Sequence, residues 1–286
     1  MVEWGVDSEV KPLKSIAVHT PTVEELERIR QNPRENLFVA PPDVQKAIKQ
    51  HSEFVGVLRE EGVKVFDIPS LSGMMRPNLV FCRDLAVVTK KGAIICNFAL
   101  PSRRGEENVV RQFFEMLGIP IIFDISKQHP DLPFEGGDLV FINEEVVAIG
   151  ESERTVPAIR EFFSQLGIFK RILAFPLSKG FIHLDTVFTM IDEHVCLSYI
   201  PVLPDRVIKE LQVLNVKLIS VSSWKELGNL AANVLTLRPG RVISAAENPE
   251  TNSNLKRYGI DVIEVELSEF LKGLGGPRCL TLPLAR

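Results

Sequence analysis

The chain has 286 residues, 45% of them hydrophobic, and a formal net charge of −4 at pH 7. That apolar content can bury a sizeable core, which excludes broad disorder. Acids interspersed among the lysines and arginines exclude the clustered basic surface of a nucleic-acid or anionic-membrane binder.

No run approaches the roughly 18 apolar residues of a spanning helix. Residues 1–11 carry early acids where a signal peptide needs an apolar stretch. Cys82, Cys96, Cys196 and Cys279 are far apart and form no CxxC pair, so reduced thiols in a cytoplasmic protein are expected. The histidines His19, His51, His129, His183 and His194 make no HxH or HExxH motif, so neither a metal nor a cofactor is expected.

Taken in chain order, the predicted elements repeat. An amphipathic helical pattern ends at Glu61-Gly62, and a β-branched strand starts at Val63. Apolar runs at 79–82, 85–89 and 93–96 read as strands, followed by a helix over 108–117 closed at Gly118. The plan recurs with strands 138–142 and 146–149, helix 156–166 and Gly167. It recurs again with strands 186–191 and 195–200, helix 205–214 and Asn215. A last round has strands 233–237 and 241–244, helix 248–258 and Gly259. Gly and Asn tolerate the left-handed conformation that closes a helix, so each marker reads as a C-cap feeding a strand. The markers lie roughly 44 to 56 residues apart, a spacing typical of repeated supersecondary units. A doubly wound α/β sheet also alternates strands and helices, but it lacks the strand-strand-helix-strand order and would carry a glycine-rich phosphate loop. The pattern therefore predicts an α/β fold built as a five-bladed propeller of ββαβ units, in a single domain over 1–286.

Several polar residues stand where such units would end. Cys279 follows the Gly275-Gly276-Pro277 turn, where backbone can approach a ligand closely, and the other cysteines lie inside apolar runs. His183 and Asp185 sit two apart between apolar neighbours. In a strand they would face one space, and burying both in a core would be costly. Glu135-Gly136-Gly137-Asp138 places two carboxylates at a strand start. Arg83-Asp84 follows an apolar run, and Arg103 and Arg154 precede predicted helices.

At these residues the chain resembles the guanidino-group-modifying enzymes of the pentein superfamily, and arginine deiminases most closely. The motifs that carry the resemblance stand in family order: residues 77–84, 101–104, 135–138, 150–155, 183–185 and 275–279. The resemblance implies a five-bladed α/β propeller and a hydrolase converting L-arginine to L-citrulline and ammonia through a covalent S-alkylthiouronium. By the same resemblance, Cys279 is the nucleophile and His183 the general acid/base. Asp84, Glu135 and Asp185 hold the guanidinium, Arg103 and Arg154 take the substrate α-carboxylate, and Asn78 and Phe81 line the pocket. Asp138 looks structural. The implied partner is a small guanidino compound.

The chain also departs from the deiminase pattern. Only a short stretch over 69–76 stands where deiminases carry a helical insertion. Dimethylarginine dimethylaminohydrolases tend to have Glu-Asp at 83–84 and lack the acid at 185, and arginine dihydrolases tend to have Asn at 84. Asp84 with Asp185 favours deiminase over both. A non-catalytic ribosome-binding propeller is a further alternative, and retention of the whole catalytic set argues against it. Proline, asparagine and charged residues over 20–40 suggest a mobile lid. The sequence does not set the oligomeric state and leaves a homodimer open.

Overall fold

The computed structural model describes residues 2–70 and 76–286. Its strands form five sheets of three strands each, all with one topology. In the second sheet, β3 (Ala86–Thr89) runs antiparallel to β4 (Gly92–Ile95), which pairs in parallel with β5 (Ile121–Asp124). Helix Glu106–Leu117 makes the crossover between the parallel pair. The same scheme holds for β6 (Leu139–Phe141), β7 (Val146–Glu151) and β8 (Arg171–Pro176). It recurs in β9 (Phe188–Asp192), β10 (Val195–Ser198) and β11 (Lys217–Ser220), and in β12 (Leu235–Arg238), β13 (Arg241–Ala245) and β14 (Asp261–Val265).

The first sheet is completed from the far end of the chain. β1 (Ser15–Val18) pairs in parallel with β2 (Lys64–Asp67) and antiparallel with β15 (Leu282–Ala285). A strand from each end of the sequence therefore locks the arrangement, and the loop bearing Cys279 is delivered next to the N-terminal unit.

All five helix-end markers behave as expected. Gly62, Gly118, Gly167, Asn215 and Gly259 each have φ between 56° and 84°, the left-handed region where a side chain other than Asn is strained. Within the sheets, β3 and β4 are wholly buried while β5 is half-exposed, and β2, β11 and β14 show the same outer exposure. Apolar side chains between neighbouring sheets form the core, with Phe98, Phe114, Phe134, Phe163 and Phe188 among the largest fully buried. Among the described residues, no helix is long and apolar enough to cross a membrane. All four cysteines are free and buried.

Two expectations need correction. Residues 79–82, read as a strand, are parts of two 3₁₀ turns, Pro77–Val80 and Cys82–Leu85. Pro77 opens the first of them, and the Phe81 N–H bonds back to the Asn78 carbonyl, which a strand does not allow. Residues 183–185 are not a strand either: His183 caps a 3₁₀ turn, Leu184–Thr186. Within the stretch 20–40, Val23–Gln31 form a helix started by a capping box between Thr22 and Glu25. The short connection read over 69–76 falls mostly outside the described residues.

Candidate active site

Each sheet begins with a tight turn, and these turns build the site. The turn before β3 carries Asn78, Phe81 and Asp84. The one before β6 carries Glu135 and Asp138, and the one before β9 carries His183 and Asp185. Asn233 precedes β12 and Cys279 precedes β15. Tight turns suit this task because they leave the regular ladder and re-aim a side chain within one or two residues.

Three glycines let the turns close on one another. A Cβ on Gly137 would lie 2.8 Å from the His183 ring, and one on Gly136 would strike the Arg83 carbonyl oxygen. On Gly150 it would strike Asp138, whose carboxylate accepts from the Leu184 N–H at 2.8 Å and from Ser152 Oγ at 2.7 Å. Asp138 thus ties the histidine-bearing turn to its neighbour, the structural part expected of it. Its burial pushes its pKa up to about 7, against the pull of His183.

Cys279, His183, Asp84, Asn78, Phe81, Arg103 and Arg154 line one small pocket of about 40 Å³, together with Leu37, Ile182, Gly273 and Leu274. Leu37 and Leu274 hold φ of 65° and 58°. Left-handed leucines are costly and tend to collect where structure serves a site. Glu135 and Asp185 lie directly behind the wall. His183 Nε2 is 2.9 Å from Glu135 Oε2, and its Nδ1 is 3.4 Å from Asp84 Oδ1. Cys279 Sγ is 3.9 Å from Asp185 Oδ2.

The charges are strongly coupled because nearly all are buried. Burial disfavours a charged His183, but Asp84 and Glu135 outweigh it and push its pKa up to about 10. Glu135 is in turn held below the usual carboxylate range by His183, Arg103 and Arg154, against its own burial. Burial, Asp185 and Asp84 raise the Cys279 thiol well above its ordinary value. Burial likewise raises Asp185 despite the Arg278 guanidinium 3.3 Å away. The site therefore stores acidic oxygens and a protonated sulfur, an arrangement that an incoming cation would reverse.

Arg103 lines the pocket and is also bound by protein carboxylates. Its side chain is 3% exposed, and its guanidinium donates to Asp84 and to both Glu106 oxygens, at 3.1 Å and 3.3 Å from Nε. Glu106 and Asp84 hold it charged against burial, while burial pushes Glu106 itself up to about 7. Arg103 is thus engaged by protein carboxylates. Arg154, 12% exposed and 3.4 Å from Glu135, is the more accessible cation.

Two contributors escaped the sequence analysis. Glu106 holds Arg103 three residues away across a helix start, a spacing that was visible in the sequence. Asn233 accepts from the Cys279 N–H at 3.1 Å and donates to the Asp185 carbonyl at 3.1 Å, joining the sulfur-bearing turn to the acid-bearing one. Its signal was positional, since it precedes the first strand of its sheet as the other site residues do.

Asp84, Glu135 and His183 could share a metal by distance, with donor atoms all within 4.8 Å. A ligating imidazole must be neutral, so a metal there would compete with the proton that Asp84 and Glu135 favour on His183.

Residues 41–286 match the family described as N,N dimethylarginine dimethylhydrolase, eukaryotic. An uncharacterised Bacillus subtilis protein, YkgA, is 34% identical over 85% of this chain and 82% of its own. An arginine deiminase of Rhodococcus erythropolis is 26% identical over 100% of this chain and 98% of its own. Among solved structures, the N-terminal domain of ArgZ, an arginine dihydrolase from cyanobacteria in complex with substrate, superposes with a TM-score of 0.81. It covers 95% of this chain and 98% of its own at 23% identity. The Pseudomonas aeruginosa dimethylarginine dimethylaminohydrolase, a cysteine-to-serine mutant complexed with citrulline, has a TM-score of 0.76, with 26% identity over 95% and 99%.

The fold and the site thus define a pentein, a class that includes arginine deiminase. The chain belongs to the N,N-dimethylarginine dimethylhydrolase family and is a hydrolase of amidine C–N bonds.

Proposed function

We propose that the chain works as one catalytic domain over residues 1–286, a five-bladed α/β propeller with its first blade closed by β15. On this reading it hydrolyses L-arginine to L-citrulline and ammonia. The observation that carries the reading is a set of buried acceptors around Cys279. Asp84 Oδ1, Asp185 Oδ1 and Asn78 Oδ1 have no hydrogen-bond donor among the described residues. Buried acceptors in such a position call for donors, and a guanidinium brings five in a planar fork suited to carboxylates. The acid pair Asp84 and Asp185 favours free arginine over methylated arginine.

In this mechanism the guanidinium binds between Asp84, Glu135 and Asp185 with its carbon beside Sγ, and Arg154 takes the α-carboxylate. The substrate's positive charge lowers the thiol pKa, so Cys279 loses its proton to solvent and attacks. A neutral tetrahedral adduct results. Imidazolium His183 protonates one amino group, and ammonia leaves with its bonding pair. The S-alkylthiouronium cation remains. Neutral His183 then removes a proton from water, whose oxygen adds to the same carbon. The neutral hydroxyl adduct then loses its hydroxyl proton to solvent as the C–S bond breaks, releasing citrulline and the Cys279 thiolate.

Incubation with L-arginine tests the reading directly: citrulline with one ammonia is expected. Ornithine with two ammonia molecules would assign a dihydrolase, and turnover of dimethylarginine to citrulline and dimethylamine would assign the methylated substrate. Arg154→Ala is expected to raise KM for arginine about tenfold or more while kcat changes less, because the α-carboxylate contact is lost in ground and transition states alike. An unchanged KM rules that contact out.

A further inference from the structure

The pocket's rear wall contains a cation that the proposed reaction does not use. Arg83 is 7% exposed, and its backbone N–H donates to the Cys279 carbonyl at 3.1 Å. Among the described residues no carboxylate lies within ion-pair distance of its side chain, and the undescribed residues include no acid. Its Nε and Nη2 are buried with no acceptor.

The two nearby acids are engaged elsewhere. Arg278 binds both Glu9 oxygens, through Nη1 to Oε2 and through Nη2 to Oε1 at 3.0 Å, and its Nε lies 3.3 Å from Asp185. A third guanidinium, that of Arg286, donates to the Lys11 and Thr236 carbonyls at 2.7 Å and adds another positive charge. Burial and Arg278 push Arg83 down to about 9, which leaves it charged at neutral pH.

Arg83 borders a small cavity of about 20 Å³, room for a single atom-sized guest, whose other walls include Glu9, Gly136, Val87, Leu139 and Leu282. An unpaired charge in such a place is costly. Water can accept its N–H groups but supplies no counter-charge.

We infer that this chamber is a binding site for a small inorganic monoanion of the halide class, held by the free N–H edge of Arg83. The mostly apolar walls and a volume of about 20 Å³ suit a monatomic anion better than an organic carboxylate. Glu9 does not oppose it, because Arg278 neutralises that carboxylate.

The test uses the whole chain exchanged into gluconate, an anion too bulky for the chamber, with bromide then titrated in at constant ionic strength. The thermal midpoint is expected to rise by about 3 °C or more and to saturate, and an anomalous difference map of bromide-grown crystals to show a peak beside Arg83 Nε. In Arg83→Met, which removes the unpaired charge with little change in volume, the bromide-dependent rise should vanish. No bromide-specific rise together with water alone at Arg83, or an undiminished rise in Arg83→Met, overturns the proposal. Should the variant not fold, the wild-type map decides by itself.

Discussion

Cys279→Ala is expected to abolish hydrolysis, with kcat falling about 10⁴-fold or more, while the protein still folds and binds arginine. The magnitude follows from the role: losing a nucleophile removes the covalent route, and other groups act only through it. The fold should survive because the turn that holds Cys279 is fastened by backbone atoms. Asn233 accepts from the Cys279 N–H and the Leu280 N–H bonds to the Gly276 carbonyl, and neither contact needs sulfur. Steady-state citrulline production is the measurement, with circular dichroism to confirm folding. Turnover near the wild-type rate would end the covalent mechanism. Because the thiol pKa is raised well above normal in the free protein, alkylation by a neutral reagent should be slow at pH 7. A haloacetamidine, which carries a guanidinium-like cation, should label Cys279 faster, and arginine should block it.

His183→Asn is expected to lower kcat about 10²- to 10⁴-fold, the usual range for a lost general acid/base. It should also change the pH dependence of stability. In the folded protein the His183 pKa is pushed up to about 10 by Asp84 and Glu135 against its burial, whereas an unfolded histidine titrates near 6.5. A raised folded pKa stabilises the fold fully below the unfolded value, and that stabilisation is lost as pH rises through the folded one. The wild type should therefore lose stability between about pH 6.5 and 10. The substituted amide does not titrate, so the variant's thermal midpoint should fall less across that window, starting from a lower value because Asp84 and Glu135 lose their cation. Parallel pH profiles for the two proteins would contradict the coupling.

The repeat was legible before the structure because it rests on local physics. A residue that must close a helix with φ near +60° is confined to Gly or Asn, so Gly62, Gly118, Gly167, Asn215 and Gly259 mark the units by stereochemistry alone. The 3₁₀ turns at Pro77–Val80 and Leu184–Thr186 were misread as strands. Apolar runs look alike in either form, and here tertiary packing buries them in both. In the segment 20–40, charges and Pro33 mask a helix whose buried face is only Glu25, Leu26 and Ile29.

The site residues were legible as types and in order, but not their pairings. Nothing in Arg103 distinguishes a substrate ligand from a guanidinium held by Glu106 and Asp84. Asn233 is one of many asparagines until β12 places it beside Cys279.

By itself, then, the sequence determined the number of units, the turns that end them and the polar residues those turns carry, since each depends on neighbours a few positions apart. The tertiary structure alone decided which charges meet. Only when β15 closes on β1 do sulfur, imidazole and carboxylates from turns nearly two hundred residues apart enter one low-dielectric space. Burial there couples their charges across distances that a solvated chain would screen.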